Sequence, residues 1–163
     1  VKSIHREAGC LHIAFEPHEV EFLLGLSDKI PRALEEASNL RLFPACADDE
    51  AMDRELCGWL HPELKAARLD RLAFFRQELQ RAFKCDGVAR LDDEALDRWL
   101  RILNDLRLIF AGELNIDSDD WPRGLTEEQR NASAVRIYRY LSGLQGALLE
   151  EGFGLAQPDV PPE

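Results

Sequence analysis

The sequence is poor in lysine, in paired cysteines and in long apolar runs, and each shortage excludes something. Only Lys2, Lys29, Lys65 and Lys84 are lysines, so the cations are mostly arginine. Twenty Lys and Arg face thirty-one Asp and Glu, a net charge of −11. Proteins that grip nucleic acid draw most of their affinity from Lys and Arg neutralising phosphates, so tight independent nucleic-acid binding is not expected. No stretch approaches the roughly 18–20 apolar residues of a membrane span, and no membrane partner is expected. The opening Val1-Lys2-Ser3-Ile4-His5-Arg6 has no apolar signal-peptide core behind its charges. None of the four cysteines forms Cys-x-x-Cys, which removes the strongest mark of zinc ribbons and thioredoxin-like proteins. A cytoplasmic chain with reduced thiols is the expectation.

Catalytic signatures are missing too. There is no Gly-rich loop followed by Lys and Ser or Thr, no Gly-x-Ser-x-Gly elbow and no His-Glu-x-x-His. The loop Asp117-Ser118-Asp119-Asp120 resembles a calcium loop only at a glance. Trp121 stands where a further ligand belongs and Pro122 where the turn needs Gly. Cys57 and His61 are four apart and can share a helix face, with Cys46 nearby, which is a partial zinc set. Pro62 is expected to disturb the geometry there, and no second close pair completes four ligands. No metal, no cofactor and no enzyme activity are therefore expected. His12 and His18, flanking a strand-to-helix junction, read as surface or locally hydrogen-bonded histidines.

What is there describes one domain. The chain has 163 residues, 45 % of them hydrophobic, enough for a sizeable core. Leu11, Ile13 and Phe15 alternate with His12 and Ala14, the period of a half-buried strand. Ser3 to Glu7 is its hairpin partner across Ala8-Gly9. Pro17 opens a helix with Val20, Leu23, Leu24, Ser27, Ile30 and Leu34 at helical spacing, which Pro31 should kink or split. A loop follows around Asn39 to Ala47. Asp48 or Asp49 caps a short helix with an apolar stripe of Met52, Leu56, Trp59 and Leu60. His61-Pro62 is expected to restart the chain as a longer helix to about Lys84, facing Leu64, Leu72, Phe75, Leu79 and Phe83 to one side. After the Asp86-Gly87 turn, Val88 to Leu91 reads as one more strand. Asp92 caps a helix whose wide face of Leu96, Trp99, Leu100, Leu103, Leu106, Phe110 and Leu114 belongs at the centre of the core. Thr126 with Gln129 makes a capping box for the last long helix, which buries Val135, Tyr138, Leu141, Leu144 and Leu148. The fold expected is mainly α with a small β-sheet (α+β). It has about five helices, an N-terminal hairpin and one further short strand, as a single domain over residues 1–151. Residues 152–163, rich in Pro and Gly, read as a flexible tail.

The remaining candidates are thiols and polar spots. Cys10 and Cys85 each precede a strand, so parallel pairing of those strands brings them to one end of the sheet and antiparallel pairing separates them. Cys46 and Cys57 are the other redox candidates, the first followed by three acids whose field disfavours a thiolate. From Pro62 to Arg90, seven cations, among them Arg68 and Arg71, face four acids. This reads first as a solvated helix face and second as a docking face for an acidic partner. Asn104, Asp105 and Arg107 are polar groups in the middle of an apolar helix, where Asn and Asp are poor formers. Hydrogen bonding to a neighbouring element is the structural reason for them, and partner docking the functional one.

The order of these pieces resembles a known family. Leu11-His12-Ile13-Ala14-Phe15-Glu16-Pro17-His18-Glu19 runs into a Leu-rich helix, and Arg41-Leu42-Phe43-Pro44 is followed by acids. Arg90-Leu91-Asp92, Trp99-Leu100, Leu103-Asn104-Asp105-Leu106-Arg107-Leu108 and Tyr138-Arg139-Tyr140-Leu141 come after. From about Ile4 to Glu151 the chain is similar to the bacterial domain-of-unknown-function family numbered twenty-seventeen. That resemblance implies regulation of the oxidative-stress response without enzyme activity, in gene neighbourhoods holding a Clp-protease adaptor and cysteine synthesis. No family cysteine motif transfers onto Cys10, Cys46, Cys57 or Cys85.

The expectation is thus a cytoplasmic, non-enzymatic regulatory protein that works through protein contacts, as a thiol-responsive oxidative-stress transcription regulator. Its expected partner is a protein of the transcription machinery or of proteolysis. The alternatives are an accessory or adaptor protein without redox chemistry, and a small metal-dependent hydrolase with an unrecognised site.

Overall fold

The computed structural model describes residues 1–35, 41–43, 45–116, 121 and 125–154. In chain order its elements are β1 (Ser3–Glu7), β2 (Cys10–Ala14), α1 (Pro17–Ser27), α2 (Lys29–Glu35) and α3 (Glu50–Lys84). Next come β3 (Val88–Leu91), α4 (Asp93–Glu113), α5 (Glu127–Asn131) and α6 (Ser133–Phe153). The mainly helical fold with a small sheet is as the residue patterns predict. No helix among the described residues is long and apolar enough to cross a membrane. The calcium-like loop Asp117 to Asp120 and residues 155–163 lie outside the described residues; α6 itself continues through Gly152 to Phe153.

The hairpin turns at Ala8 and Gly9, both with positive φ (49° and 83°), the backbone a two-residue turn requires. The sheet order is β1-β2-β3, antiparallel throughout, with Ile4 opposite Ile13 and Leu11 opposite Leu91. Alternation gives it one apolar face, on which Leu11, Ile13, Ala89 and Leu91 are buried by helices. The other face carries His5 stacked on His12 at 5.4 Å.

Helix α4 is the centre, packing on α6, α3, α2 and the sheet. Its Trp99 is fully buried, with Phe15 at 6.0 Å and Phe75 at 4.7 Å between ring centres. Asp92 caps it by accepting the Ala95 N–H at 2.8 Å. The helix after Pro17 splits at Asp28, three residues before Pro31, whose missing N–H leaves the Ser27 carbonyl without its helical donor.

Three expectations are corrected. The helix break at His61-Pro62 is not there: α3 runs through Pro62 as one helix of 35 residues. Proline frees only the Gly58 carbonyl, and Gly58 is exposed, so that carbonyl can be hydrated rather than stranded. The stripe Met52, Leu56, Trp59 and Leu60 is not core; these side chains are exposed, as are Leu64 and Phe83, while Leu72, Phe75, Leu79 and Ala82 are the buried face of α3. The Thr126–Gln129 capping box is present but caps the short α5, and the long helix starts anew after Ala132, whose extended backbone (ψ 140°) breaks the run.

Candidate functional site

The N-terminal half of α3 begins with Asp49, whose carboxylate accepts the Met52 N–H at 2.9 Å. Asp53, Cys57 and His61 follow at four-residue intervals, so they line one ridge of the helix. Because the helix does not break at Pro62, Cys57 and His61 stay on that ridge. Asp53 also holds the loop before the helix. Its Oδ1 accepts the backbone N–H of Cys46 at 2.5 Å and of Ala47 at 3.2 Å. Upstream, Leu42 is fully buried, and the Phe43 ring stands 4.8 Å from that of His61. The loop is therefore anchored at both ends, and Cys46 is brought to Cys57.

The Cys57 sulfur lies 3.2 Å from the Cys46 sulfur and 3.4 Å from Asp53 Oδ1. The first distance exceeds the ~2.05 Å of a disulfide, so these two sulfurs are not bonded to each other. Hydrogen bonding to Cys46, burial and the nearby Asp53 carboxylate push the Cys57 thiol up to about 11. The Cys46 and Ala47 amides and the Cys57 thiol hold the Asp53 carboxyl below its ordinary range. Ligand atoms of Cys46, Cys57 and His61 all lie within 4.8 Å of one another. His5, Glu7 and His12 form a second such group on the open face of the sheet, all oxygen and imidazole donors and mostly exposed.

Cys10 and Cys85 do not meet. With β2 and β3 antiparallel, Leu11 pairs with Leu91 and Ala14 with Val88, so Cys10 sits at one end of the sheet and Cys85 at the other.

The polar candidates on α4 face different ways. Asp105 is buried and its Oδ1 is 3.3 Å from Arg68 Nε, an ion pair with both side chains largely covered. Burial raises the Asp105 carboxyl above its ordinary value despite the guanidiniums of Arg68, Arg71 and Arg101. Arg71 is half-buried, its own pKa lowered first by burial. Arg107 donates to Ser142 Oγ at 3.0 Å and to Gln145, tying α4 to α6. Asn104 is exposed. Other cations of the basic stretch are held in ion pairs, Arg76 with Asp28 at 2.8 Å and Arg81 with Glu78 at 2.5 Å. His18 lines a cleft of about 440 Å³ between α1 and α6, with Glu19, Phe22, Arg136 and Tyr140. In it the Tyr140 hydroxyl donates to Glu19 at 3.3 Å.

Two features escaped the sequence pattern. Asp53 reads as one more acid in an acidic run, and nothing in its type announces that it grips the loop. The exposure of the Met52 stripe was equally hidden, because an apolar stripe looks the same whether or not another element covers it. The Asp53-Cys57-His61 spacing was the signal for the first.

Residues 2–151 match the family described as domain of unknown function (DUF2017). No curated protein and no solved structure matches the chain.

Proposed function

The chain belongs to the DUF2017 family, and we propose that it is a cytoplasmic, non-enzymatic regulator that docks on a protein through the N-terminal half of α3. The observation that carries this reading is Trp59. Its side chain is 76 % exposed, in line with Met52, Leu56, Leu60 and Leu64, all exposed. A contiguous apolar stripe in water marks a contact surface, and Trp and Met are enriched in such surfaces. Asp48, Asp49, Glu50, Asp53, Glu55 and Glu63 share this stretch of chain, where Arg54 is the one Lys or Arg between Asp48 and Leu64. The complementary partner is a protein hollow with an apolar floor and a basic rim, the helix-in-groove mode.

The thiol response belongs to the same surface. The Cys46–Cys57 pair flanks the stripe, so joining its sulfurs would reset the loop beside the docking face. Peroxide takes one hydrogen from each thiol, joins the sulfurs and leaves two waters. In this reading the protein answers oxidants by changing what it holds, which is the role of an oxidative-stress regulator acting on the transcription machinery.

A photo-crosslinking residue at position 59 in the native cell tests the docking. One protein partner with a basic contact surface is expected. It should be lost when Leu56 and Leu60 become Asp and retained when the exposed Glu113 is changed. Crosslinking only to a second copy of the chain, or only to what a probe at position 113 also captures, overturns it. For the switch, peroxide is titrated while thiols are counted. An unaltered thiol count together with unchanged partner capture leaves a plain adaptor without redox chemistry.

A further inference from the structure

Three electron-pair donors converge beside the foot of α3, and the histidine that supplies one of them has a buried ring nitrogen with no hydrogen-bond partner among the described residues. Cys57 and His61 are one helical turn apart on one ridge, and Asp53 holds the Cys46 amide so that the Cys46 sulfur closes the triangle. The three ligand atoms lie within 4.8 Å of one another. His61 Nε2 is buried and has no hydrogen-bond partner among the described residues. Leaving such a group unpaired costs its full desolvation penalty, and a bound cation offers it a partner.

We propose that Cys46, Cys57 and His61 bind a thiophilic divalent cation, with the chemistry of Zn²⁺. Two thiolates and an imidazole select zinc over magnesium or calcium, which demand oxygen ligands. Tetrahedral zinc with ~2.3 Å bonds to sulfur sets two sulfurs about 3.8 Å apart. The observed 3.2 Å widens to that separation through a small outward shift of the Cys46 loop. Binding releases two thiol protons to solvent and forms two metal–sulfur bonds, with no change in oxidation state. The ion's two positive charges balance both thiolates, and the Asp53 carboxylate, 3.4 Å from the Cys57 sulfur, adds a further attraction for the cation. Three protein ligands leave a fourth position open to water or to a donor from a partner. The Phe43 ring, 4.8 Å from the His61 ring, restrains the imidazole. An occupied site ties the loop to the helix beside the exposed stripe. It also takes the two sulfurs that peroxide would join, so metal and disulfide exclude each other. This site does not depend on the docking reading.

The test adds cobalt(II), then zinc, to the reduced 163-residue chain. One cobalt per chain is expected, with thiolate-to-cobalt charge transfer and the intense visible bands of tetrahedral coordination, both abolished by zinc. In competition with a chromophoric chelator, Cys57→Ser and His61→Ala should each weaken zinc by more than about 100-fold, beyond the range of outer-shell changes. Cys10→Ser and Cys85→Ser should leave it unchanged. Zinc should also shield Cys46 and Cys57 from alkylation in the unaltered chain while Cys10 and Cys85 react, a readout that needs no variant to fold. Sub-stoichiometric uptake, a pale octahedral cobalt spectrum, full affinity in both ligand variants, or equal alkylation of all four cysteines overturns the site.

Discussion

The two halves of α3 share one helix and differ in almost everything else. From Leu72 onward the helix buries Leu72, Phe75, Leu79 and Ala82 against the core; before Leu64 it buries no side chain among the described residues. Both halves carry apolar residues at helical spacing. The difference teaches that periodicity establishes a face, while burial is decided by whether another element arrives there. Helix α3 as a whole packs on α1, α2, α4 and β3, with its buried face in the C-terminal half; the N-terminal half meets the loop through Asp53 and the thiols, and leaves its stripe to solvent.

The sharpest test of that contrast is a matched pair of aromatic truncations. Phe75→Ala removes a fully buried ring packed edge-on to Trp99. It should cost about 4 kcal/mol in urea unfolding. Trp59→Ala, with a larger ring on the same helix, is the smallest effect and should stay within about 0.5 kcal/mol, although it removes the anchor of the proposed docking face. Equal losses from the two would erase the distinction between the halves.

Between these extremes lies the boundary of the two halves, where Arg68 pairs with Asp105. Asp105→Ala leaves the covered guanidinium without its carboxylate and should cost about 3 kcal/mol near neutral pH. The pH dependence has a definite sign. The folded carboxyl titrates above its ordinary 3.8, so between that value and the higher folded one the folded chain holds a proton the unfolded chain has lost. This contribution to stability is fully present below 3.8 and falls as pH rises through the window. Asp105→Asn should remove that slope in denaturant titrations run across acidic pH, and an unaltered slope would assign it elsewhere.

A smaller loss is expected where the C-terminal half is fastened to the sheet. Gly87 has φ +82°, its N–H donates to the Ala82 carbonyl at 2.9 Å, and its carbonyl accepts from Phe15 N–H at 2.9 Å. A methyl group there would strike the Phe15 carbonyl oxygen. Gly87→Ala should cost about 2 kcal/mol, seen as a lowered urea midpoint, and the loss should leave metal uptake at Cys46, Cys57 and His61 intact.

Much of the fold is legible before any coordinate is seen, because it rests on local chemistry. Pro17 at a helix start, Asp49 and Asp92 as caps, Gly9 and Gly87 at positive φ, and the alternation of Leu11 with Ile13 each act within a few residues. Pro62 misleads for the same reason. Its local effect is real, but a solvated carbonyl at Gly58 lets the helix continue. The candidate site was legible only in part. Cys57 and His61 stand at a spacing that helix geometry makes meaningful, while Cys46 joins them through a loop whose path depends on Leu42 in the core and Asp53 on the helix.

The residues alone thus determined the type of most elements, many of their caps and turns, and the acidic charge, since propensity and hydrogen bonding to near neighbours act along the chain. The assembled fold decided which apolar stripe stays in water, which thiols meet and which are held apart by an antiparallel strand. It also decided that Asp105 and Arg107 turn inward. Those outcomes depend on contacts between segments distant in sequence, where burial and sheet direction are set by what packs against what.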